Sequence, residues 1–209
     1  MAIDASSKNG LILIEIDPES GILQTQEGQL SVISMNYFLT FSRYPADAAT
    51  ESSALGDWVH MDFLDPKDTV TRFYAAPAPA GTYAFEALNV GYGVSWGACF
   101  NRSTVAFDVP AGQVVYLGKF SPQAIFEDIS ANLPPSLPVG TYRYLYDRSA
   151  PTLEEPESVE QKTSEISDYL RRVYPKVNAP ITIGKTRSAS FPSDTPAAFA
   201  RFPRCAKTA

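Results

Sequence analysis

The chain has 209 residues, 44% of them hydrophobic and 19% charged, a balance that excludes a disordered polymer and predicts a packed core. Seventeen basic residues against 23 acidic give a net charge of −6, the wrong sign for a protein that displaces counterions from nucleic-acid phosphate. One histidine and two cysteines exclude most zinc sites and leave little acid–base chemistry near neutral pH, so no metal, cofactor or nucleic-acid partner is expected.

Positions 1–9 carry no apolar run, and Leu11–Ile16, interrupted by Glu15, falls far short of the about 20 residues that span a bilayer. No signal peptide is visible. Two expectations stay open: a cytoplasmic protein, or one that begins after a removed signal or lipid anchor.

The first 150 residues read as strands. Leu11–Ile16 is apolar and bounded by the turn formers Asn9-Gly10 and Asp17-Pro18. Gln29–Arg43 partly alternates, with a bulge or break near Ser34–Asn36. Tyr44 to Gly56 reads as a loop. Trp58–Leu64 puts Val59, Met61 and Phe63 on one face and Trp58, His60, Asp62 and Leu64 on the other. Val70–Ala75, Tyr83–Leu88, Thr104–Val109, Val114–Leu117 and Tyr142–Tyr146 are further short β-rich runs. A Pro-x-Gly turn recurs at Pro79-Ala80-Gly81, Pro110-Ala111-Gly112 and Pro138-Val139-Gly140, each followed by a strand start.

The last third differs. Thr152–Tyr174 predicts an amphipathic helix, capped by Thr152 or by Glu155 with Pro156 in the first helical position. Val159, Ile166, Tyr169, Leu170 and Val173 form its apolar stripe, acids crowd its start, and Arg171-Arg172 complement its C-terminal dipole. The stripe is narrow and points to a sheet or a partner. Lys185–Ala209 carries five basic residues and one acid, leaving 12 basic and 22 acidic residues over positions 1–184. That contrast predicts a strap over the acidic body, with a partner or membrane-surface contact as the alternative. The expected fold is mainly β: an antiparallel β-sandwich over 1–150, one C-terminal amphipathic α-helix over 151–175, and over 176–209 a short strand and a basic irregular tail packed on the sandwich.

Candidate chemistry is sparse. Gly93-Val94-Ser95-Trp96-Gly97 matches the nucleophile-elbow spacing, but a strand and not a helix is expected after it, and His60 precedes the serine. His60 shares a strand face with Asp62, a pairing suited to weak metal or acid–base work or to a plain solvent face. Asp65-Pro66-Lys67-Asp68 reads as an incidental turn, and Asn101-Arg102-Ser103 matches a glycosylation sequon. No catalytic residue and no metal ligand is assigned. Tyr92 and Trp96, placed in a glycine-rich loop, and Tyr142, Tyr144 and Tyr146, alternating along one strand, are the candidate ligand-binding residues; core packing is the competing use of the tyrosine ladder. A disulfide between Cys99 and Cys205 would tie the tail to the sandwich, and an unpaired Cys99 would be a small buried residue.

Pro79-Ala80-Gly81-Thr82-Tyr83-Ala84-Phe85, followed by Phe107-Asp108-Val109-Pro110-Ala111-Gly112-Gln113-Val114-Val115-Tyr116-Leu117-Gly118, resembles prealbumin-like β-sandwich domains of uncharacterised bacterial envelope proteins and lipoproteins. In those a Pro-Gly-x-Tyr turn opens one strand and a Val-x-Ala-Gly-x-Val-x-Tyr-Leu strand follows. The likeness covers about a fifth of the chain. It implies a location in the cell envelope, periplasmic or associated with the outer membrane, and carries over no catalytic residue. The expected function is a non-enzymatic envelope domain that binds a partner protein or surface ligand, touching membrane only through a lost N-terminal anchor or the basic tail. The alternatives are a small hydrolase using Ser95 or the His60/Asp62 pair, and a structural subunit that assembles through the helix.

Overall fold

The structure, a computed structural model, describes residues 1–16, 22–25, 28–31, 36–44, 58–62, 73–92, 94–100, 103–123, 125, 127, 143–147 and 153–190. After β1 (Ile3–Asp4) and β2 (Asn9–Ile16), β3 (Ile22–Thr25) pairs with β4 (Gly28–Ser31). Then come β5 (Asn36–Arg43), β6 (Trp58–Asp62), β7 (Phe73–Pro79), β8 (Gly81–Tyr92), β9 (Val94–Cys99), β10 (Thr104–Val109) and β11 (Val114–Phe120). The C-terminal part holds β12 (Arg143–Asp147), β13 (Leu153–Glu154), α1 (Val159–Val173), β14 (Val177–Asn178), β15 (Ile181–Ile183) and β16 (Thr186–Ala189).

Two sheets face each other. The larger runs β12-β9-β8-β10-β16, with β5 on the other edge of β8 and β6 beyond it; the smaller runs β13-β11-β2-β7, with β15 also on β11. The expected sandwich is present and is not a closed barrel. Most ladders are antiparallel, whereas β11–β2, β11–β15, β12–β9 and β1–β14 are parallel.

Period-two alternation assigns each strand's side chains to layers. Ile12, Ile14 and Ile16 of β2, Ala76 and Ala78 of β7, and Val115 and Leu117 of β11 point between the sheets. There they meet Leu39, Phe41, Phe85 and Phe107 of the larger sheet. Phe41 lies edge-to-face on Phe85 at 4.9 Å and on Phe107 at 5.5 Å, geometry that adds about 0.5–1.5 kcal/mol per pair beyond area burial. The opposite face of the smaller sheet is also buried. Leu11, Leu13, Phe73, Val114 and Tyr116 pack under Ile166, Tyr169 and Leu170 of α1. The molecule is therefore three layers: sheet, sheet and helix. A central strand covered on both faces needs apolar residues at every position, which is why Leu11–Ile14 shows no alternation.

Four local expectations need correction. The helix begins at Val159 with Ser158 as its N-cap, accepting from the Gln161 N–H at 3.3 Å, and not at Thr152 or Glu155. Leu153 and Glu154 are instead drawn into a ladder with Phe120 and Lys119, and a serine hydroxyl caps better than a glutamate. Val159, counted in the apolar stripe, is 57% exposed, so the buried stripe starts later, at Ile166. The Ala-Pro repeat of Phe73–Pro79 is a strand well past Ala75; β7 lies at the end of its sheet, where a missing proline N–H is tolerated. The tail is not irregular from its start, since Thr186–Ala189 pairs with β10. The Pro110–Gly112 turn is as expected: Gly112 has φ +65°, and a Cβ there would sit 2.6 Å from the Ala5 carbonyl oxygen.

Ile12→Ala and Leu13→Ala are each expected to destabilise the protein by about 2–5 kcal/mol, because both faces of β2 are core. Urea unfolding of the two variants checks this. A Leu13→Ala loss within about 0.5 kcal/mol of zero would mean that the outer face is wet.

Candidate functional site

The ladders separate Ser95 from His60, whereas His60 and Asp62 lie two positions apart on the single strand β6. Ser95 lies within β9, which continues as strand to Cys99, so no strand-to-helix corner lifts it. His60 sits on β6 opposite Thr40 of β5, and Thr40 opposes Ala87 of β8, which opposes Cys99 of β9. Three ladder steps of about 4.8 Å put the β6 backbone roughly 14 Å from β9, beyond any hydrogen bond between His60 and Ser95. The His60 Nδ1 is 3.4 Å from the Thr40 hydroxyl, and the ring meets Phe38 edge-on at 5.5 Å.

Tyr92 and Trp96 are corrected from loop to strand: Tyr92 ends β8 and Trp96 is central in β9, paired with Val90 on one side and Tyr144 on the other. The reason is that Val94–Cys99 has a neighbour on each edge, so its backbone groups are satisfied in the sheet despite Gly97. The register thus sets Trp96 beside Tyr144, and Tyr146 beside the core residue Ala98. Tyr142, Cys205, Phe63, Asp65–Asp68, the sequon residues Asn101 and Arg102, and the Pro138 turn lie outside the described residues, as do the side chains of Asp62, Tyr92, Ser95, Trp96, Cys99, Tyr144 and Tyr146. The Cys99–Cys205 pairing falls with them.

A polar cleft of about 280 Å³ opens where β2, β11 and β13 meet the N-terminal turns of α1. Glu15 ends the apolar run of β2 and reaches the floor of this cleft. Its Oε2 accepts from the Tyr116 hydroxyl at 3.0 Å and from the Lys162 ammonium at 2.9 Å. Lys162 also reaches Glu165 at 2.7 Å and stands over the Phe73 ring, 5.5 Å from its centroid. The rim carries Glu154, Glu155 and Glu157, with Lys119 the one further cation of the lining. Five carboxylates thus face two ammonium groups. The rim acids also suit the positive end of the helix dipole, which accounts for part of their clustering.

Burial raises the Tyr116 hydroxyl well above the usual phenol range, and the nearby Glu15 charge adds to it, so Tyr116 stays a neutral donor. Burial by itself would lower the Lys162 ammonium, but its bonds to Glu165 and Glu15 outweigh that and raise it. The Lys162 hydrogen bond holds the Glu165 carboxyl below its ordinary value. Sequence reasoning passed over this group. Glu15 interrupting a strand and Lys162 amid helix acids were its only traces.

A second polar group lies on the larger sheet. Thr40, Ser42, Glu86 and Thr104 are buried; the Ser42 hydroxyl donates to Glu86, and the Thr104 hydroxyl donates to the Phe85 carbonyl at 2.6 Å. Glu86 occupies the register shift where Thr40 opposes Ala87 but Phe41 opposes Phe85, so it is the extra residue of a β-bulge. These bonds hold strands together at a bulge, and Thr40 of this group is the hydroxyl that lies 3.4 Å from the His60 Nδ1.

A scan against protein-family models, a search of curated proteins and a search of solved structures each find no match for this chain.

Lys162→Met is expected to return the Glu165 titration toward its ordinary value of 4.5. A depressed carboxyl stabilises the fold above its unfolded value and loses that contribution as pH falls through the folded value. The variant should therefore lose less stability than the wild type on acidification below 4.5. Side-chain NMR titration of Glu165 checks the assignment, and an unchanged midpoint would refute it.

Proposed function

We propose that the chain is a non-enzymatic binding module whose polar cleft receives a cationic group of a partner protein or surface ligand. The single observation that carries the reading is the cleft itself, with five carboxylates around two ammonium groups, of which Lys162 is already engaged by Glu15 and Glu165. Lys162 is neutralised from two sides, so an incoming cation meets the unshared charge of the rim. Support for a binding role over hydrolysis by a Ser95–His60 pair comes from the ladder distance between the two; that distance does not bear on the His60/Asp62 pair. The buried stripe of α1 supports it over assembly through the helix, because Ile166, Tyr169 and Leu170 are spent on the chain's own sheet.

We place this module in the cell envelope, on the strength of the prealbumin-like segments 79–85 and 107–118. The intact mass of protein from its native host tests that placement: a trimmed or lipid-modified N-terminus supports it, and an unprocessed chain refutes it.

The binding reading is tested by titrating the protein with a Lys/Arg-rich peptide at low and moderate salt. Binding should weaken as salt rises. Glu154→Gln with Glu157→Gln should weaken it by about threefold to tenfold, the worth of two exposed charges. Equal affinity in the double variant would refute the cleft as the contact.

A further inference from the structure

We propose that β16 is an exchangeable strand, and that the β10 edge takes the same strand from a second copy of this chain. The inference is independent of the cleft.

β15 belongs to the smaller sheet and β16 to the larger, and only Gly184 and Lys185 join them. This two-residue link crosses from one sheet to the other at the side of the sandwich. Its first half is fixed. Ile181 and Ile183 pack against the helix-side core, and the Gly184 N–H donates to the Tyr116 carbonyl at 2.7 Å. A Cβ at Gly184 would lie 2.8 Å from both Leu117 and Val115, so the backbone is pressed onto β11 there.

Beyond Lys185 the attachment is of another kind. Thr186, Arg187 and Ser188 are exposed and Ala189 is half-buried, so β16 contributes no buried side chain. It is held by its ladder, Thr104↔Ala189 through Phe107↔Thr186, and by the exposed ion pair of Arg187 with Asp108 at 3.1 Å. The Tyr44 hydroxyl adds a bond to the Ser190 carbonyl at 3.2 Å. Asp108 is well prepared for its cation: the Thr82 hydroxyl and then Arg187 hold its carboxyl below the usual range.

The acceptor is the opposite case. Thr104, Ala106 and Phe107 of β10 are buried, and without β16 their backbone would form an open sheet edge, which recruits another strand. The Thr-Arg-Ser-Ala sequence is the one strand seen to fit this edge, and a second copy brings it with the same ladder and the same charge pair. Among the described residues exchange moves no core side chain, and reciprocal exchange closes with two-fold symmetry. A short link that must turn between two sheets favours opening at Lys185.

The test mixes Arg187→Asp chains with isotope-labelled Asp108→Arg chains and reads native mass spectra up to about 1 mM, the effective concentration of a short tether. Each variant alone faces like charges, both within one chain and in its own dimer. In the mixed dimer both exchanged pairs are opposite, so heterodimer should exceed either homodimer severalfold. Wild-type dimer should grow with concentration, and a chain ending at Lys185 should stay monomeric with its circular dichroism retained. A mixture that stays monomeric, or shows only statistical pairing, overturns the proposal. So does a truncated chain that dimerises like the full one. If truncation unfolds the protein, the mixed-charge pair decides alone.

Discussion

The smaller sheet is buried on both faces, and the rest of the structure follows from that constraint. A β-strand offers two sides, and most antiparallel sandwiches leave one of them wet. Here Ile12 and Ile14 face the larger sheet while Leu11 and Leu13 face the helix. The helix is consequently part of the core. Its three buried residues complete the cover over Val114 and Tyr116, and the parallel pairing of β2 with β11 sits in the middle of the stack, away from solvent.

Burial on both faces also explains where charge is allowed. β2 meets its first charge at Glu15, near the end of the strand, where the helix layer gives way to the cleft. A carboxylate there needs compensation, and Tyr116 and Lys162 supply it. The cleft is thus the seam at which a three-layer core ends, and its polarity follows from closing that seam with charged groups. The larger sheet handles the same problem differently: Glu86 is accommodated at a bulge and bonded to Ser42.

The side of the sandwich is managed by the C-terminal segment. β15 joins the smaller sheet and β16 the larger, so one stretch of chain covers an edge of each. The first strand is fastened by half-buried isoleucines and the second by backbone and surface charge. Stability is therefore uneven along this stretch, with the sheet-switching link as the boundary.

Much of this architecture could be read from the chain. The strand runs around Leu11–Ile16, Trp58–Asp62, Thr104–Val109 and Val114–Leu117, the turns at Pro79 and Pro110, and one amphipathic helix ending near Pro175 are local properties, set by side-chain periodicity and by the φ preferences of proline and glycine. The alternation that set Val59 and Met61 on one face and His60 on the other matches the structure, where the first two are buried and His60 is exposed. Other features depended on partners distant in sequence. The true helix start depended on β11 capturing Leu153 and Glu154, and the strand identity of Trp96 on neighbours at both edges. Even the cleft joins Glu15 to Lys162 across 147 positions. Periodicity reports which side of an element is apolar, and it carries no information about which other element will lie there. For this chain the sequence by itself determined the main strand runs, the presence of one amphipathic helix and most of their apolar faces; the tertiary structure alone decided the layer order, the separation of His60 from Ser95 and the meeting of Glu15, Tyr116 and Lys162, because each of those is a contact between strands and helix that only packing brings together.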